Sequence, residues 1–353
     1  MKKAIKAILI VIAVIVALVI LLFAWLTITQ LNVKTATAEL KQGPAAVESY
    51  QKGDTVSILS WNIGYAGLGE NEDFFMDGGE KVRPESKAVV EKYLAGIIDT
   101  IKGFGSDFYL IQEVDGLKST RTYGVIETDT IAEATGYASS YALNYKCDFV
   151  PFPWPPLGKI GSGIFTLSSA PIASAERIAL PSPFTWPVSV ANLKRCMMPS
   201  YIDLEGTDAQ LVLVNVHLEA YDSGEGKIAQ TKMLLEFIQS EYDKGNYVIV
   251  GGDFNQTFPG GLDAYPMLDP ELWTPGTLEN EILPEGWSFA YDTQTPTCRL
   301  LNKPYNADDP TTQYYVIDGF ILSPNVELVS VETQPEGFVN SDHNPVLLNV
   351  TLG

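Results

Sequence analysis

The chain has 353 residues, enough for one large domain or two ordinary ones, and 46% of them are apolar, enough for a sizeable core. Its 23 basic residues face 43 acidic ones for a net charge of -20, so it lacks the basic stripe of a non-specific nucleic-acid binder and repels polyanions at long range. With only two histidines, mechanisms that need several imidazole ligands are excluded, and the three widely spaced cysteines, Cys147, Cys196 and Cys298, make neither a disulfide framework nor a zinc cluster. Three buried thiols are expected, with one disulfide plus a free thiol as the alternative.

Residues Ala7 to Thr29 carry no charge and are almost all Ile, Val, Leu and Ala. As a helix at about 1.5 Å per residue this run spans roughly 30 Å of hydrocarbon. Lys2, Lys3 and Lys6 precede it, and Trp25 sits where an interfacial aromatic belongs. We read residues 1–31 as cytoplasmic lysines plus a single-pass anchor in the cell membrane, with everything beyond on the extracytoplasmic side. A cleaved signal peptide is the rival, because Ala36-Thr-Ala38 looks like a small-residue cleavage site, but the apolar run is longer than a signal peptide's. Residues 32–54 are polar and aperiodic and read as a tether. Residues 55–353, with no repeat or internal linker, read as one catalytic-sized domain.

Within that domain, Thr55 to Ile63 alternates like a strand and ends on Asn62. The acidic loop that follows contains Asp73-Phe-Phe-Met-Asp-Gly-Gly79, whose oxygen spacing does not match a calcium loop of the EF-hand type. Ser86 is placed to cap a helix running to about Gly103, with Val89, Val90, Tyr93, Leu94, Ile97, Ile98 and Ile101 recurring on one apolar face. The strand Phe108 to Val114 ends in Gln112 and Glu113, and a carboxylate after an apolar run is costly to bury unless paired or metal-bound. A short helix is expected over 127–136, and strands over 138–145 and 162–168. Asp148 to Leu157 is a stiff loop of prolines and aromatics, suited either to core packing or to a substrate groove or lipid headgroups. A second Pro/Trp stretch leads to Lys194 and Arg195. Arg195 is a candidate phosphate contact through its two-pronged donors, with a solvated surface pair as the alternative.

The strand Gln210 to His217 ends on the first histidine, and a helix is expected from about 226 to 243. Tyr247-Val-Ile-Val then runs into Gly251, Gly252, Asp253 and Asn255. Residues i and i+2 of an extended chain share a side, so this carboxylate and carboxamide are expected to face one spot. Residues 256–306 are turn-rich. Asp318 interrupts the apolar strand Tyr314 to Leu322, and Ser341-Asp-His-Asn-Pro345 precedes a last strand, with Asp342 and His343 pointing to different sides. Strands outnumber helices, and helices fall between strand pairs, which predicts two packed sheets with helices outside.

Polar residues thus end or interrupt one apolar strand after another, and both histidines are among them. Ser60-Trp-Asn62, Ile111-Gln-Glu113, Asn215-Val-His-Leu218, Gly252-Asp-Phe-Asn255, Ile317-Asp-Gly-Phe320 and Ser341-Asp-His343 occur in an order that resembles the endonuclease/exonuclease/phosphatase superfamily, whose fold is the deoxyribonuclease-I-like α+β, four-layer α/β/β/α sandwich. The resemblance implies that Glu113 binds a divalent metal, Mg²⁺ or Mn²⁺, with Asn62 and Asp342 beside it. It implies that Asp253 orients or deprotonates the attacking water and that Asn255 fixes the phosphate or that water. His343, held by Asp318, would contact the phosphate, and His217 would act on a non-bridging or leaving oxygen. A glutamate that pairs with the first histidine in deoxyribonuclease-like members is not identifiable in this sequence. His217-Leu-Glu-Ala-Tyr221 is similar to a stretch of neutral sphingomyelinases and other lipid phosphodiesterases.

The function these residues imply is metal-dependent hydrolysis of phosphoesters at the outer membrane face. A phospholipid or small phosphoester is preferred as substrate because of the anchor, the net charge and the Pro/Trp loops. An extracellular nuclease is the first alternative and a non-enzymatic binding module the second. The membrane is the expected partner, and no protein partner is expected. Asn255-Gln-Thr257 forms a glycosylation sequon only by accident of the motif.

Overall fold

In the computed structural model, residues 2–31, 35–44 and 46–353 are described. Lys2–Thr29 is one helix, and it is long and apolar enough to cross a membrane, a test that a signal sequence also passes. From Lys2 to Leu21 every side chain is exposed, but Leu26 is buried against the folded domain.

Two sheets lie face to face. The seven-stranded sheet runs in the order Val326–Thr333, Val346–Leu352, Thr55–Asn62, Phe108–Asp115, Gly158–Ser168, Ala138–Val150, Glu39–Lys41. The main path of the other runs Thr35–Thr37, Ser174–Ala179, Cys196–Glu205, Gln210–His217, Tyr247–Asp253, Asp318–Leu322, Ser288–Ala290. Each sheet has one parallel pair near its middle, Thr55–Asn62 with Phe108–Asp115 and Gln210–His217 with Tyr247–Asp253, and helices make those crossovers. Lys87–Phe104 covers the outside of the first sheet through Val90, Tyr93, Leu94 and Ile97. Glu225–Tyr242 covers the outside of the second through Leu234 and Ile238. The result is the four-layer α/β/β/α sandwich.

Alternation along the strands sorts side chains between the layers. Val56, Ile58, Phe108, Leu110, Leu211, Leu213, Ile249, Phe320 and Leu322 meet between the sheets, while Leu59, Trp61, Tyr109, Ile111, Val212, Val214, Val248, Val250 and Ile321 face the helices. Each such buried aliphatic side chain contributes roughly 1.5–3 kcal/mol relative to exposure. The register is fixed by this burial, because a one-residue slip would turn the whole row outward. The paired glycines serve the same packing. A Cβ on Gly251 would strike Phe320 and Leu110, and one on Gly252, at φ +153°, would run into the Val216 carbonyl.

Several elements differ from the sequence expectation. Part of the stretch read as a tether is folded into both sheets. Thr35–Thr37 pairs with Ser174–Ala179, Glu39–Lys41 pairs with Ala138–Val150, and Tyr50–Gln51 pairs with Cys196–Glu205. These strands are too short and polar to show alternation, and edge pairing alone specifies them. Ala38, at the end of the Ala36-Thr-Ala38 site, is buried and donates its N–H to the Ala175 carbonyl. The strand expected over 314–322 is split, so Asp318 begins a strand instead of sitting in its middle. Asp73, in the acidic loop, accepts the N–H groups of Glu80 and Lys81 and so closes its own turn. Ser86 precedes its helix without a side-chain capping bond. All three cysteines are free and buried.

Candidate active site

The register that builds the inter-sheet core also builds the site. Continue each inward row to the end of its strand and it reaches Asn62, Gln112, His217, Asp253 and Asp318, all buried. Beneath them the Gln112 amide donates to Asn215 Oδ1 at 2.8 Å, and Asn215 Nδ2 donates to the carbonyls of Ile111 and Phe165. This amide bridge ties the two sheets together directly under the site.

Glu113 arrives by another route. The pairing of its strand is irregular between Ile111 and Val114, and Glu113 takes φ +54°, a left-handed conformation unusual for a non-glycine residue. The bulge turns its carboxylate toward the cavity while Val114 returns to the helix-facing layer. Asn255 is also left-handed, at φ +49°. Asp253 and Asn255 therefore converge through a turn and not through strand alternation as the sequence suggested. Asp253 Oδ1 accepts the Asn255 N–H at 2.8 Å, and Asn255 Nδ2 donates to the Leu218 carbonyl at 2.9 Å. Strain at two positions of one site is a mark of function.

Asp253 is the hub. Its Oδ2 lies 3.0 Å from Asn62 Nδ2, 3.5 Å from His217 Nε2 and 3.9 Å from His343 Nε2. Burial, and then the charge of Asp318, push its carboxyl above the usual range. Asn62 Nδ2 also donates to Glu113 Oε1 at 3.2 Å, while its Oδ1 accepts the Gly64 N–H at 3.0 Å. The oxygen is engaged by the backbone, so Asn62 presents its NH₂ to the carboxylates. In this arrangement it positions Glu113 and Asp253.

The two imidazoles are tuned apart. Burial works against charge on His343, but Asp318, Cys298 and Asp342 outweigh it and hold its pKa well above the usual value; its Nδ1 lies 2.8 Å from Asp318 Oδ2. Burial first, and then Arg195 and His343, hold His217 well below the usual value. His217 Nδ1 has no hydrogen-bond partner. On its other side, His217 Nε2 lies 4.0 Å from Glu113 Oε1 and 3.5 Å from Asp253 Oδ2. Arg195 is buried, lines the cavity and has no hydrogen-bond partner for Nε or Nη1, with Glu219 Oε2 at 3.7 Å. It is not a solvated surface residue. Asp342 and His343 do not diverge as expected: His343 Nε2 and Asp342 Oδ2 are 3.9 Å apart, and both residues line the cavity.

A carboxylate of the Asp73–Gly79 segment, weighed in the sequence only as a calcium loop, completes the cluster. Asp77, in the acidic loop, lines the same cavity and accepts a hydrogen bond from Tyr221 at 3.1 Å. Burial, then the charge of Asp342, push it up to about 7. Burial and the charge of Glu113 push Asp342 up to about 6 despite His343. Glu113 thus opposes the ionisation of both Asp342 and Asp77, and Asp342 that of Asp77, and all three line the cavity. Such a set suits a bound cation, which would remove the repulsion. Cys298, Asp342 and His343 also lie within 4.8 Å of one another, but burial pushes the Cys298 thiol up to about 12, so it stays protonated and is a poor ligand. The remaining donors are oxygens, which suit Mg²⁺ or Mn²⁺ better than zinc.

Glu113, His217, Asp253, Asn255, Asp342 and His343 line the floor of a cavity of about 870 Å³. The model of the endonuclease/exonuclease/phosphatase family matches residues 59–343, most of the chain. The chain belongs to the endonuclease/exonuclease/phosphatase family. Solved structures agree in fold. One is an endonuclease/exonuclease/phosphatase from Beutenbergia cavernae, with 18% identity, a TM-score of 0.58, and coverage of 85% of this chain and 72% of that one. Another is truncated TDP2 of Caenorhabditis elegans, with 17% identity, a TM-score of 0.51, and coverage of 85% and 98%. A third is ANGEL2, described as a 2',3'-cyclic phosphatase, with 16% identity, a TM-score of 0.54, and coverage of 90% and 99%. No curated protein sequence matches the chain. Members of the endonuclease/exonuclease/phosphatase family are typically metal-dependent phosphoester hydrolases.

Proposed function

We propose that this chain hydrolyses phosphoesters with the help of a divalent cation, Mg²⁺ or Mn²⁺, at the outer face of the membrane that its N-terminal helix spans. The observation that carries the proposal is the set of groups around Asp253 Oδ2, with His217 Nε2 at 3.5 Å and His343 Nε2, itself oriented by Asp318, at 3.9 Å. Phosphoryl transfer needs charge neutralisation and an in-line nucleophile more than covalent help.

Glu113 and Asp342, with Asp77 beside them, would hold the cation, which supplies charge neutralisation at the phosphate. Asp253 orients the attacking water and accepts its proton, a task suited to a carboxylate whose proton affinity burial has raised. Asn255, locked by its turn, fixes the water or a phosphate oxygen. His343 is protonated at neutral pH and donates from Nε2 to the phosphate, with Asp318 holding its tautomer. His217 stays neutral and faces a non-bridging or leaving oxygen. Arg195 brings a buried positive charge with free donors to the same cavity. Asn255 is too buried to be glycosylated.

The test is turnover of bis(p-nitrophenyl) phosphate by the full chain in detergent. Mg²⁺ is expected to support it and EDTA to abolish it. Equal rates in both would sink the proposal. Faster nicking of plasmid DNA than of any small ester or lipid would favour a nuclease, against the net charge of -20.

A further inference from the structure

The cavity has a second half that the chemistry above does not use. Its walls there are apolar and come from three separated segments: Leu22, Phe23 and Leu26 of the N-terminal helix, Phe152 of the first Pro/aromatic loop, and Phe184 and Val188 of the second. Helix and loops are docked on each other. Leu22 and Leu26 pack with Val150, Leu157, Ile160 and Val190, and Phe23 meets the edge of Trp186. Trp186 Nε1 also donates to Thr27 Oγ1 at 3.1 Å.

The docking sets the height of the cavity above a bilayer. The charge-free run begins at Ala7 after the three lysines, and at about 1.5 Å per residue roughly 30 Å of hydrocarbon ends near Leu26. Leu22, Phe23 and Leu26, which line the cavity, therefore fall in the last turns of the span, where acyl chains give way to headgroups. Whichever way the helix threads, the domain sits at its C-terminal end. Around this level Trp154 is 88% exposed, Phe152 72%, Trp186 62% and Val188 58%. Aromatic side chains left in water at this density belong in a membrane interface.

We propose that the apolar half of the cavity is an acyl-chain site and that the substrate is a phospholipid drawn laterally from the bilayer, its tail against Leu22, Phe23 and Leu26 and its phosphate at Asp253. The proposal rests on the phosphoester hydrolysis inferred above and adds the substrate class. One continuous cavity with carboxylates and imidazoles at one end and an opening at the lipid boundary at the other fits a molecule that is a phosphoester at one end and a hydrocarbon at the other. A free sugar phosphate or a nucleic acid would leave the apolar half wet.

The full chain is reconstituted into phosphatidylcholine vesicles containing a small fraction of phosphatidylcholine with a photoreactive diazirine in its acyl chain. Cross-links are mapped by mass spectrometry, and bis(p-nitrophenyl) phosphate turnover is measured on the same sample. Leu157 and Ile160 are buried in the domain, so label on them reports a tail inside the cavity. Such label is expected, and Val188→Glu, in the wall of the apolar half, is expected to lower it at least fivefold. Trp154→Ser is a second exposed variant with the same expectation. Normal aryl turnover with label confined to residues 2–21 would overturn the acyl-chain site alone. Label on Leu157 or Ile160 that Val188→Glu reduces, without any aryl turnover, would support the site and sink the proposed reaction.

Discussion

The floor and the mouth of the cavity are built by opposite means. The floor is made of strand ends whose direction is dictated by alternation in the core behind them, and most of its polar groups have partners. The mouth is made of two loops and a helix end that meet through side-chain packing, and many of its side chains are large, apolar and exposed. A floor of this kind holds reacting groups to within fractions of an ångström, as phosphoryl transfer requires. A mouth of this kind chooses what enters without affecting the chemistry. The two should therefore respond differently to substitution.

The largest effects are expected on the floor. Asp253→Ala and His343→Ala should each lower kcat for bis(p-nitrophenyl) phosphate at least about a hundredfold, the loss typical of a main catalytic group. Retention of full kcat by either would remove the distinction between the two regions. Next comes Asp318→Asn. The Asp318 carboxylate helps hold the His343 pKa above its ordinary value, so the imidazolium persists through neutral pH and is lost as pH rises through the raised pKa. Without that charge the alkaline limb of the kcat/KM profile should move to lower pH, with kcat at pH 8 down roughly tenfold. An unmoved limb would mean that His343 does not act as the cation. A smaller effect, on stability and not chemistry, is expected for Asn215→Leu, which strips Gln112 of its partner across the sheets. Urea unfolding should register a loss of about 1–3 kcal/mol. Smallest of all, Trp154→Ser should leave both Tm and aryl ester turnover unchanged within error, because the ring is 88% exposed.

The same contrast decides what could be read from the sequence. Asn62, His217, Asp253 and Asp318 each continue an alternating apolar strand, so the pattern that identified the strand also identified the residue. Glu113 was legible as a carboxylate after an apolar run, but the bulge that turns it inward was not, since its left-handed φ leaves no mark on a glutamate. That Asn62 would bridge Glu113 and Asp253 through its NH₂ while accepting the Gly64 N–H was not legible, because those partners come from other strands and from a turn. Asp77 was weighed only within a calcium loop, because its importance comes from where Asp342 and Tyr221 are, and neither is near it in the chain. The signal available was an acidic, glycine-rich loop directly after the first motif. Arg195 was flagged only by its type. The Pro/aromatic loops of the mouth were legible as a candidate substrate groove or headgroup contact, but their docking on the helix was not, because nothing local says that Leu26 is buried or that Trp186 meets Thr27. The strands within 35–51 were missed for the same reason: each is held by a distant partner.

The strands at Thr35–Thr37 and Glu39–Lys41 carry a consequence for turnover of the protein itself. Each closes the margin of a different sheet, and Ala38 between them is sunk among Ala175, Ile172 and Met198. Shedding by a peptidase at Ala38 is therefore no clean release. Before folding, a cut there would forfeit one margin strand, and after folding the bond is out of a protease's grasp. In the anchored arrangement proposed above, the domain would stay with the surface on which it was first laid down and would meet its substrate by search in two dimensions.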